Sequence, residues 1–194
     1  MNHLGRKLFH VLGGLGLLSL YFIFGRSNSF ILYGALAAVV LLIEVARLSL
    51  PAVNHFFYAH FGSFIRKNEE HSMTGTVPYI LGISLSLYAY ATPVAVAAVC
   101  FLAFGDVAAT TVGERFGRTK IGKKSLEGTA AFIVIAVSAG LALHLAGLHL
   151  TPWVIVVGAV VAAGVELLPL PVNDNLMIPV LSGAVMELIL RFSR

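Results

Sequence analysis

The amino-acid sequence predicts an all-α polytopic membrane protein, a bundle of about seven transmembrane helices. Of its 194 residues, 58% are hydrophobic and only 11% are charged, and the mean hydropathy is +0.91. Soluble domains contain about 25% charged residues, so this composition is typical of an integral membrane protein. Residues 1–194 form a single predicted domain, because little sequence lies outside the apolar runs.

Seven apolar runs are close to the length that crosses a bilayer, about 17 to 25 residues. The first follows Arg6 and Lys7 as a signal peptide does, but it lacks a small-x-small cleavage pattern, so we assign it as a membrane helix. The runs are Leu8–Gly25, Phe30–Leu48, Thr76–Ala91, Pro93–Val112, Thr129–Leu148, Thr151–Leu168 and Leu176–Leu190.

The segments between these runs also contain residues that predict local structure. Aromatic residues and histidines from Val53 to Phe64 predict a helix that lies in the membrane interface, between the second and third runs. Pro169 and Pro171 must end the sixth helix. Residues 173–175, Asn-Asp-Asn, can cap the start of the seventh.

The basic residues predict the orientation, because Lys and Arg prefer the cytoplasmic ends of membrane helices. With the N-terminus inside and the C-terminus outside, ten fall on the inner side and three on the outer. This bias, with attraction to anionic headgroups, accounts for the net charge of +4 without a nucleic-acid partner. The inner residues are Arg6, Lys7, Arg47, Arg66, Lys67, Arg115, Arg118, Lys120, Lys123 and Lys124, and the outer residues are Arg26, Arg191 and Arg194.

The polar clusters of unusual composition all fall on the inner face in this topology. They comprise residues 6–10, 66–76, 113–128 and 166–175. Outer loops near Ser27 and between Gly147 and Thr151 are short and nearly uncharged. We therefore expect four inner segments to converge on one cytosol-facing site.

Acidic residues inside apolar runs are costly unless they are paired or line a wet cavity. Asp106 has no basic residue within one helical turn, which favours a functional role. Glu44 stands three residues before Arg47, so an ordinary ion pair explains it as well as a role in the site does.

Two other acidic positions have simpler interpretations. Glu187 precedes Arg191 by four residues, the spacing of an ion pair on a helix surface. Glu69 and Glu70 follow basic residues near the interfacial stretch, and a solvated face is the default expectation there.

A basic, glycine-punctuated loop follows Asp106. The segment from Gly117 to Lys124 is one residue away from a P-loop, but Lys124 stands where Ser or Thr must ligate magnesium, and an apolar helix precedes the loop instead of a strand. Phosphate binding remains possible in chemical terms, because glycines let the backbone approach phosphate oxygens and lysines act as charge clamps. The candidate residues are Gly113, Gly117, Lys120, Lys123, Lys124, Ser125 and Gly128.

The polar triplet before the last run is a further candidate. Capping explains one of Asn173, Asp174 and Asn175, but not three in a row beside the membrane. An Asp at a helix N-terminus, where free amides lie nearby, also suits a metal-phosphate ligand.

These residues together resemble the CTP-dependent polyprenol and lipid kinases, which include dolichol kinase, phytol kinase and the fungal diacylglycerol kinase. The resemblance runs nearly end to end and implies transfer of the terminal phosphoryl group of CTP to a membrane lipid hydroxyl, with a divalent metal such as Mg²⁺. It rests on Arg6-Lys7 with His10, Glu69 with Thr74-Gly75, Gly105-Asp106 through Gly113 and Gly117, Lys124-Ser125-x-Glu127-Gly128, and Glu166 leading to Asn173-Asp174-Asn175 and Pro179.

Phosphoryl transfer needs mainly positioning and charge neutralisation, which allows roles to be assigned. Asp106 and Asp174 would hold the metal. Glu127 or Glu166 would take or direct the proton of the lipid hydroxyl, with no choice between them. The triphosphate would contact the loop residues named above and also Arg6, Lys7, Asn173 and Asn175.

The lipid tail is expected between helices, where Gly158 and Gly164 permit close packing or a cleft. The chain would then be a single membrane kinase domain in the cell membrane, with its active site facing the cytosol. Which alcohol it phosphorylates stays open between a polyprenol, a phytol-like isoprenoid and diacylglycerol. The choice of CTP over ATP or UTP comes from the resemblance alone.

Two other classes of protein fit part of the sequence. CDP-diacylglycerol synthases share a Gly-Asp and Lys-x-x-Glu-Gly pattern, but they usually have Ser-Pro-Lys-Lys-Thr where this chain has Ile121-Gly-Lys-Lys-Ser125. A small transporter accounts for Asp106 and Glu44 within the membrane. That class leaves the cytosolic clusters unexplained, and no inverted repeat is visible.

Overall fold

The computed structural model describes residues 4–64 and 69–193, and this part of the chain is almost entirely helical. Arg66 and Lys67, two of the inner basic residues, lie outside the described residues, as does Arg194. The helices are α1 Leu4–Ser49, α2 Pro51–Phe61, α3 Thr76–Ala89, α4 Thr92–Cys100, α5 Asp106–Phe116, α6 Leu126–Leu145, α7 Pro152–Leu167 and α8 Asp174–Phe192.

Three short elements complete the fold. A 3₁₀ turn, Gly62–Phe64, follows α2, and a π-helical turn, Phe101–Gly105, joins α4 to α5. Strands β1 (Lys120–Ile121) and β2 (Lys124–Ser125) pair antiparallel between α5 and α6.

Helix α1 is folded back on itself at Gly25. The Ser29 hydroxyl donates to the Leu20 carbonyl at 3.1 Å, although residues nine apart on a straight helix are separated by about 13 Å along the axis. Gly25 has φ 74° and ψ 171°, a backbone region that only glycine adopts readily. Residues 4–24 and 26–49 are therefore two antiparallel arms, called the first arm and the second arm below.

The helices confirm the predicted all-α polytopic class. Helices α1, α6 and α8 and the continuous stretch Thr92–Phe116 are long and apolar enough to cross a membrane, and α3 and α7 are shorter apolar helices. With α1 counted as two arms, the described part of the chain contains seven apolar segments, and each coincides with one predicted run.

Polar contacts bring the Gly25 bend, the junction of α3 and α4, and the C-terminal part of α8 to one end of the bundle. At this end, Arg26 donates to the Tyr90 carbonyl at 2.8 Å, and the backbone N–H of Ala91 donates to Glu187 at 3.0 Å. Glu187 also forms the predicted ion pair with Arg191, at 3.4 Å. The predicted inner clusters meet at the opposite end of the bundle.

Gly158 permits close packing and no cleft. A Cβ there would overlap the side chain of Met186, which is fully buried between α7 and α8. Gly164 faces open space, and neither glycine lines either of the two cavities described below. Of the two roles that the sequence left open for these glycines, close packing or a cleft, Gly158 has the first.

The π-helical turn before α5 depends on the absence of a side chain at Gly105. A Cβ at this position would lie 2.7 Å from the ring of Phe132, and that ring is fully buried and has no free space. We expect Gly105→Ala to lower the midpoint of thermal unfolding by roughly 5 °C, because overpacking a core costs about 1–3 kcal/mol. Gly16→Ala is the matched control, since a Cβ added there would have no atom within 4 Å. Equal midpoints for the two variants would contradict tight packing at Gly105.

Candidate active site

The basic loop is a β-hairpin. Lys120 pairs with Ser125 and Ile121 with Lys124, which leaves Gly122 and Lys123 as a two-residue turn. Gly122 has φ 59°, as expected where glycine takes the first central position of such a turn. The segment therefore lacks the strand-to-helix geometry of a P-loop.

The hairpin is fixed to the start of α6 by a cap. Ser125 is the N-cap residue, and its hydroxyl accepts the backbone N–H of Gly128 at 3.1 Å. The Glu127 carboxylate accepts the backbone N–H of Thr119 at 3.0 Å, which closes the hairpin from the other side. Ser125 and Glu127 thus satisfy backbone donors that a helix start and a turn leave free.

Glycines allow α5, the hairpin and α6 to approach closely. A Cβ at Gly128 would lie 2.7 Å from the carbonyl oxygen of Ala109, and one at Gly117 would lie 2.6 Å from the Ser125 hydroxyl. A Cβ at Gly113 would lie 3.0 Å from that hydroxyl. The glycine spacing in the sequence therefore reflects packing of the loop on α5.

Lys124 joins the hairpin to the facing ends of α7 and α8. Its ammonium lies 2.6 Å from the Glu166 carboxylate and 3.1 Å from the Asp174 carboxylate. Burial alone lowers the pKa of Lys124, but the charges of Asp174 and Glu166 outweigh it and hold that pKa above its usual value. Lys124 is therefore protonated at physiological pH.

Asp106 lies where the π-helical turn gives way to α5. Its carboxylate is 3.7 Å from His10 Nε2, and its side chain is 13% exposed. Tyr79 supports this arrangement, because its hydroxyl donates to the His10 carbonyl and its ring lies 4.5 Å from the imidazole. π-helical turns of this kind occur frequently at functional sites.

Two cavities meet at Asp106. The basic cavity has a volume of about 350 Å³ and is lined by Gly113, Lys120, Lys123, Lys124, Ser125, Gly128 and Glu166. The apolar cavity has a volume of about 360 Å³ and is lined mainly by Phe9, Val40, Ile43, Phe57, Phe61 and Phe64, with a polar end formed by Glu69, Thr74 and Gly75. Arg6, Asp106 and Thr110 line both cavities.

Comparison with known proteins identifies three relatives, each named CTP-dependent diacylglycerol kinase 1. The Saccharomyces cerevisiae protein is 29% identical over 142 residues, 70% of this chain and 48% of the relative. The Schizosaccharomyces pombe protein is 28% identical over 164 residues, 76% of this chain and 74% of the relative. The Eremothecium gossypii protein is 36% identical over 101 residues, 50% of this chain and 32% of the relative.

The chain is thus similar to CTP-dependent diacylglycerol kinases over 50% to 76% of its length. It spans about half the length of the Saccharomyces cerevisiae relative. No family model and no solved structure matches the chain. The family resemblance stated from the sequence motifs is thus confirmed.

The four polar clusters that the sequence predicts to converge lie at one end of the bundle. Lys7 pairs with Glu114 at 2.9 Å, which joins the first arm to α5. The Asn175 amide donates to the Gly75 carbonyl at 3.0 Å, which joins α8 to the start of α3. Together with the Lys124 and His10 contacts, these pairs bring all four clusters to one end of the bundle.

The predicted phosphate-binding residues divide between several places. Most of them line the basic cavity. Lys7 and Asn175 line the apolar cavity instead, and Lys120 also donates to the Gly113 carbonyl at 3.2 Å. Gly117, Glu127, Asn173 and Asp174 line neither cavity, although Asp174 contacts Lys124.

Asn173 has a complete structural explanation. Its side-chain oxygen accepts the backbone N–H of Asn175 at 3.0 Å, so it is the N-cap residue of α8. The predicted capping role is confirmed.

For Glu44 and Glu69 the sequence offered an interpretation outside the site, an ion pair with Arg47 for Glu44 and a solvated face for Glu69. Glu44 and Arg47 form a buried pair at 2.8 Å, and Glu44 also accepts the backbone N–H of Thr74 at 3.0 Å. The Glu-x-x-Arg spacing at the end of an apolar run was the available signal. Glu69 is buried, with its carboxylate accepting the backbone N–H of Gly75 at 3.2 Å; the default expectation of a solvated face is therefore wrong for this residue.

The carboxylates of the site suit a divalent ion that arrives with the nucleotide. Carboxylate oxygens are the ligands that Mg²⁺ prefers, and it commonly takes only one or two of them together with phosphate oxygens. Among the described residues, no three Asp, Glu, His or Cys side chains lie close enough to hold one ion. Asp106 lines the basic cavity and Asp174 contacts Lys124 of the same cavity, so each would offer a carboxylate to a metal bound by phosphates.

Proposed function

We propose that this protein is a CTP-dependent lipid kinase, which transfers the terminal phosphoryl group of CTP to the hydroxyl of a membrane lipid alcohol. The single observation that carries the proposal is the junction of the basic and apolar cavities at Asp106. A phosphate donor and an apolar acceptor can approach each other from the two sides of that residue. The family of the relatives supplies CTP as the donor to test.

The basic cavity offers what a triphosphate needs. Lys120, Lys123 and Lys124 are clustered on one hairpin and act as point charges for phosphate oxygens. Arg6 lies at the junction, where its guanidinium can bind a phosphate through two parallel hydrogen bonds. Asp106 and Asp174 would hold a divalent ion, which would supply further neutralisation of the phosphate charge.

The acceptor hydroxyl requires a group that takes its proton. In the proposed step its oxygen forms a bond to the γ-phosphorus, the bond from that phosphorus to the β–γ bridging oxygen breaks, and CDP leaves. Asp106 faces both cavities and is the carboxylate best placed to accept the proton. Glu166, one of the two carboxylates predicted for this role, is held by Lys124, and Glu127 closes the hairpin.

Diacylglycerol is the first acceptor to test, because the names of the relatives specify it. Phytol-like and dolichol-like alcohols come next, since each presents one hydroxyl on an apolar tail. The excess of basic residues at the site's end of the bundle supports a cytosol-facing site in the cell membrane.

The decisive experiment follows the label of radioactive CTP. Purified protein is incubated with Mg²⁺, one lipid alcohol, and CTP labelled at either the γ- or the α-phosphate. We expect only γ-label to enter the lipid phase. Entry of α-label would instead indicate a cytidylyltransferase, and entry of neither label with folded protein and all three alcohols would contradict the proposal.

A further inference from the structure

We propose that Arg47 is a positioning residue for the acceptor lipid, a role that rests on the proposed function. It holds α2 and residues 69–75 in place as the outer wall of the apolar cavity, where the tail of the lipid alcohol binds. Phosphate binding takes place in the other cavity and does not use this wall. Replacing Arg47 should therefore weaken lipid binding and leave nucleotide binding unchanged.

The side chain of Arg47 holds three parts of the chain together, and this set of contacts is called the clamp below. Its side chain is fully buried, and its guanidinium donates to Glu44 at 2.8 Å and to Asn54 of α2 at 3.1 Å. Three backbone carbonyls of the segment 69–75 also accept from it, those of Glu69 and Glu70 at 3.1 Å and that of Ser72 at 2.7 Å. One side chain thus links the second arm, α2 and the segment before α3.

Helix α2 depends on this clamp because it has no core of its own. None of its residues is buried, and the extended backbone of Leu50 separates it from the second arm. Asn54 provides its polar attachment, by accepting from Arg47 and donating to the Glu70 carbonyl at 3.1 Å. Loss of the guanidinium would remove the donor that ties both Asn54 and the Glu70 carbonyl to the second arm.

The elements that Arg47 holds are the walls of the apolar cavity. Phe57 and Phe61 of α2 line it beside Phe64, and Phe64 contacts Phe9 of the first arm with ring centroids 6.1 Å apart. Phe9, Phe61 and Phe64 are also among the exposed aromatic side chains. In a membrane this aromatic wall faces lipid on one side and the cavity on the other, which suits a tail that enters from the bilayer.

The polar end of the cavity is fixed by the same contacts. Glu44 is oriented by Arg47 and accepts both the backbone N–H and the hydroxyl of Thr74 at 3.0 Å. Thr74 and Gly75 line the cavity on the way to Asp106. A shift of this segment would displace the acceptor hydroxyl relative to Asp106.

The test compares Arg47→Lys and Asn54→Ala with wild type. A lysine keeps the charge, but one ammonium cannot bind all the acceptors that the guanidinium reaches, and Asn54→Ala removes only the link to α2. The matched control is Arg191→Lys, an exposed arginine at the other end of the bundle. Three quantities are measured: the apparent KM for lipid, the apparent KM for CTP, and labelling of the nucleotide-free protein by a photoactivatable diacylglycerol.

We expect Arg47→Lys to raise the apparent KM for lipid about tenfold, since small misplacements of reacting groups carry costs of this order or larger. Asn54→Ala should raise it less, and the KM for CTP should stay unchanged in both. Photolabel on Phe57 and Phe61 in wild type should decrease in both variants and persist in Arg191→Lys. If Arg47→Lys does not fold, Asn54→Ala provides the same comparison.

Equal changes in both KM values, or photolabel confined to α6–α8, would overturn the role of Arg47. The photolabelling also separates this inference from the proposed function. A wild-type protein without kinase activity, whose α2 is nonetheless labelled in an Arg47-dependent way, would refute the kinase and support the lipid site.

Discussion

Replacing Asp106 by asparagine is expected to lower the rate of lipid phosphorylation by roughly a thousandfold or more, with the protein still folded. The loss combines a missing proton acceptor, worth about 10²–10⁴-fold, with a missing carboxylate ligand for the divalent ion that accompanies the nucleotide. Asparagine has nearly the same shape, and the His10 contact it would alter is a long one of 3.7 Å. The fold should therefore tolerate the change better than the reaction does.

The measurement is the initial rate of γ-label transfer from CTP to lipid, with thermal unfolding of the same preparation in detergent. Glu187→Gln is the matched control, because Glu187 is a helix-borne carboxylate at the other end of the bundle. It should retain its activity. Normal activity in Asp106→Asn would remove this residue from the mechanism, whatever the control shows.

Replacing Lys124 by alanine is expected to raise the CTP requirement by about a hundredfold or more. The ammonium lies between Glu166 and Asp174, so its removal leaves two neighbouring carboxylates facing the triphosphate without their cation. These carboxylates would then repel each other and the negatively charged phosphate groups of CTP. The apparent KM for CTP should rise far more than the apparent KM for lipid.

Lys123→Ala is the matched control on the same hairpin. Lys123 is exposed and lines the same cavity. It lies in the turn of the hairpin, where neighbouring lysines can compensate for the loss of its charge. Its loss should raise the CTP requirement only a few fold. Equal effects of Lys123→Ala and Lys124→Ala would show that CTP binding depends on the total charge of the cavity and not on the position of Lys124.

The pKa of Lys124 gives this prediction a pH dependence. Because the neighbouring carboxylates hold it above the usual lysine value, which is about 10.4, the ammonium remains charged throughout the neutral and mildly alkaline range. The contribution of Lys124 to CTP binding should then be constant from neutral pH upwards and be lost only when pH rises through that raised pKa. A loss of CTP affinity near neutral pH would have to come from another group.

The sequence by itself determined the class of protein and most of its elements. Apolar run lengths predicted the seven segments, because a bilayer core imposes a length on each of them. Charge bias and the placement of polar clusters predicted that the inner ends converge, since helices that alternate in direction bring every second loop to one side. Asp106 could be selected because an unpaired acid within an apolar run has few structural explanations.

Only the tertiary structure decided which of those residues share a cavity. Lys124 meets Glu166 and Asp174 across 42 and 50 positions of sequence, and Asn175 meets Gly75 across 100. Such pairings depend on how the helices pack, which local periodicity does not encode. For the same reason Glu69 resembled a surface charge in the sequence, although packing of the second arm against α2 and the following segment buries it together with Arg47.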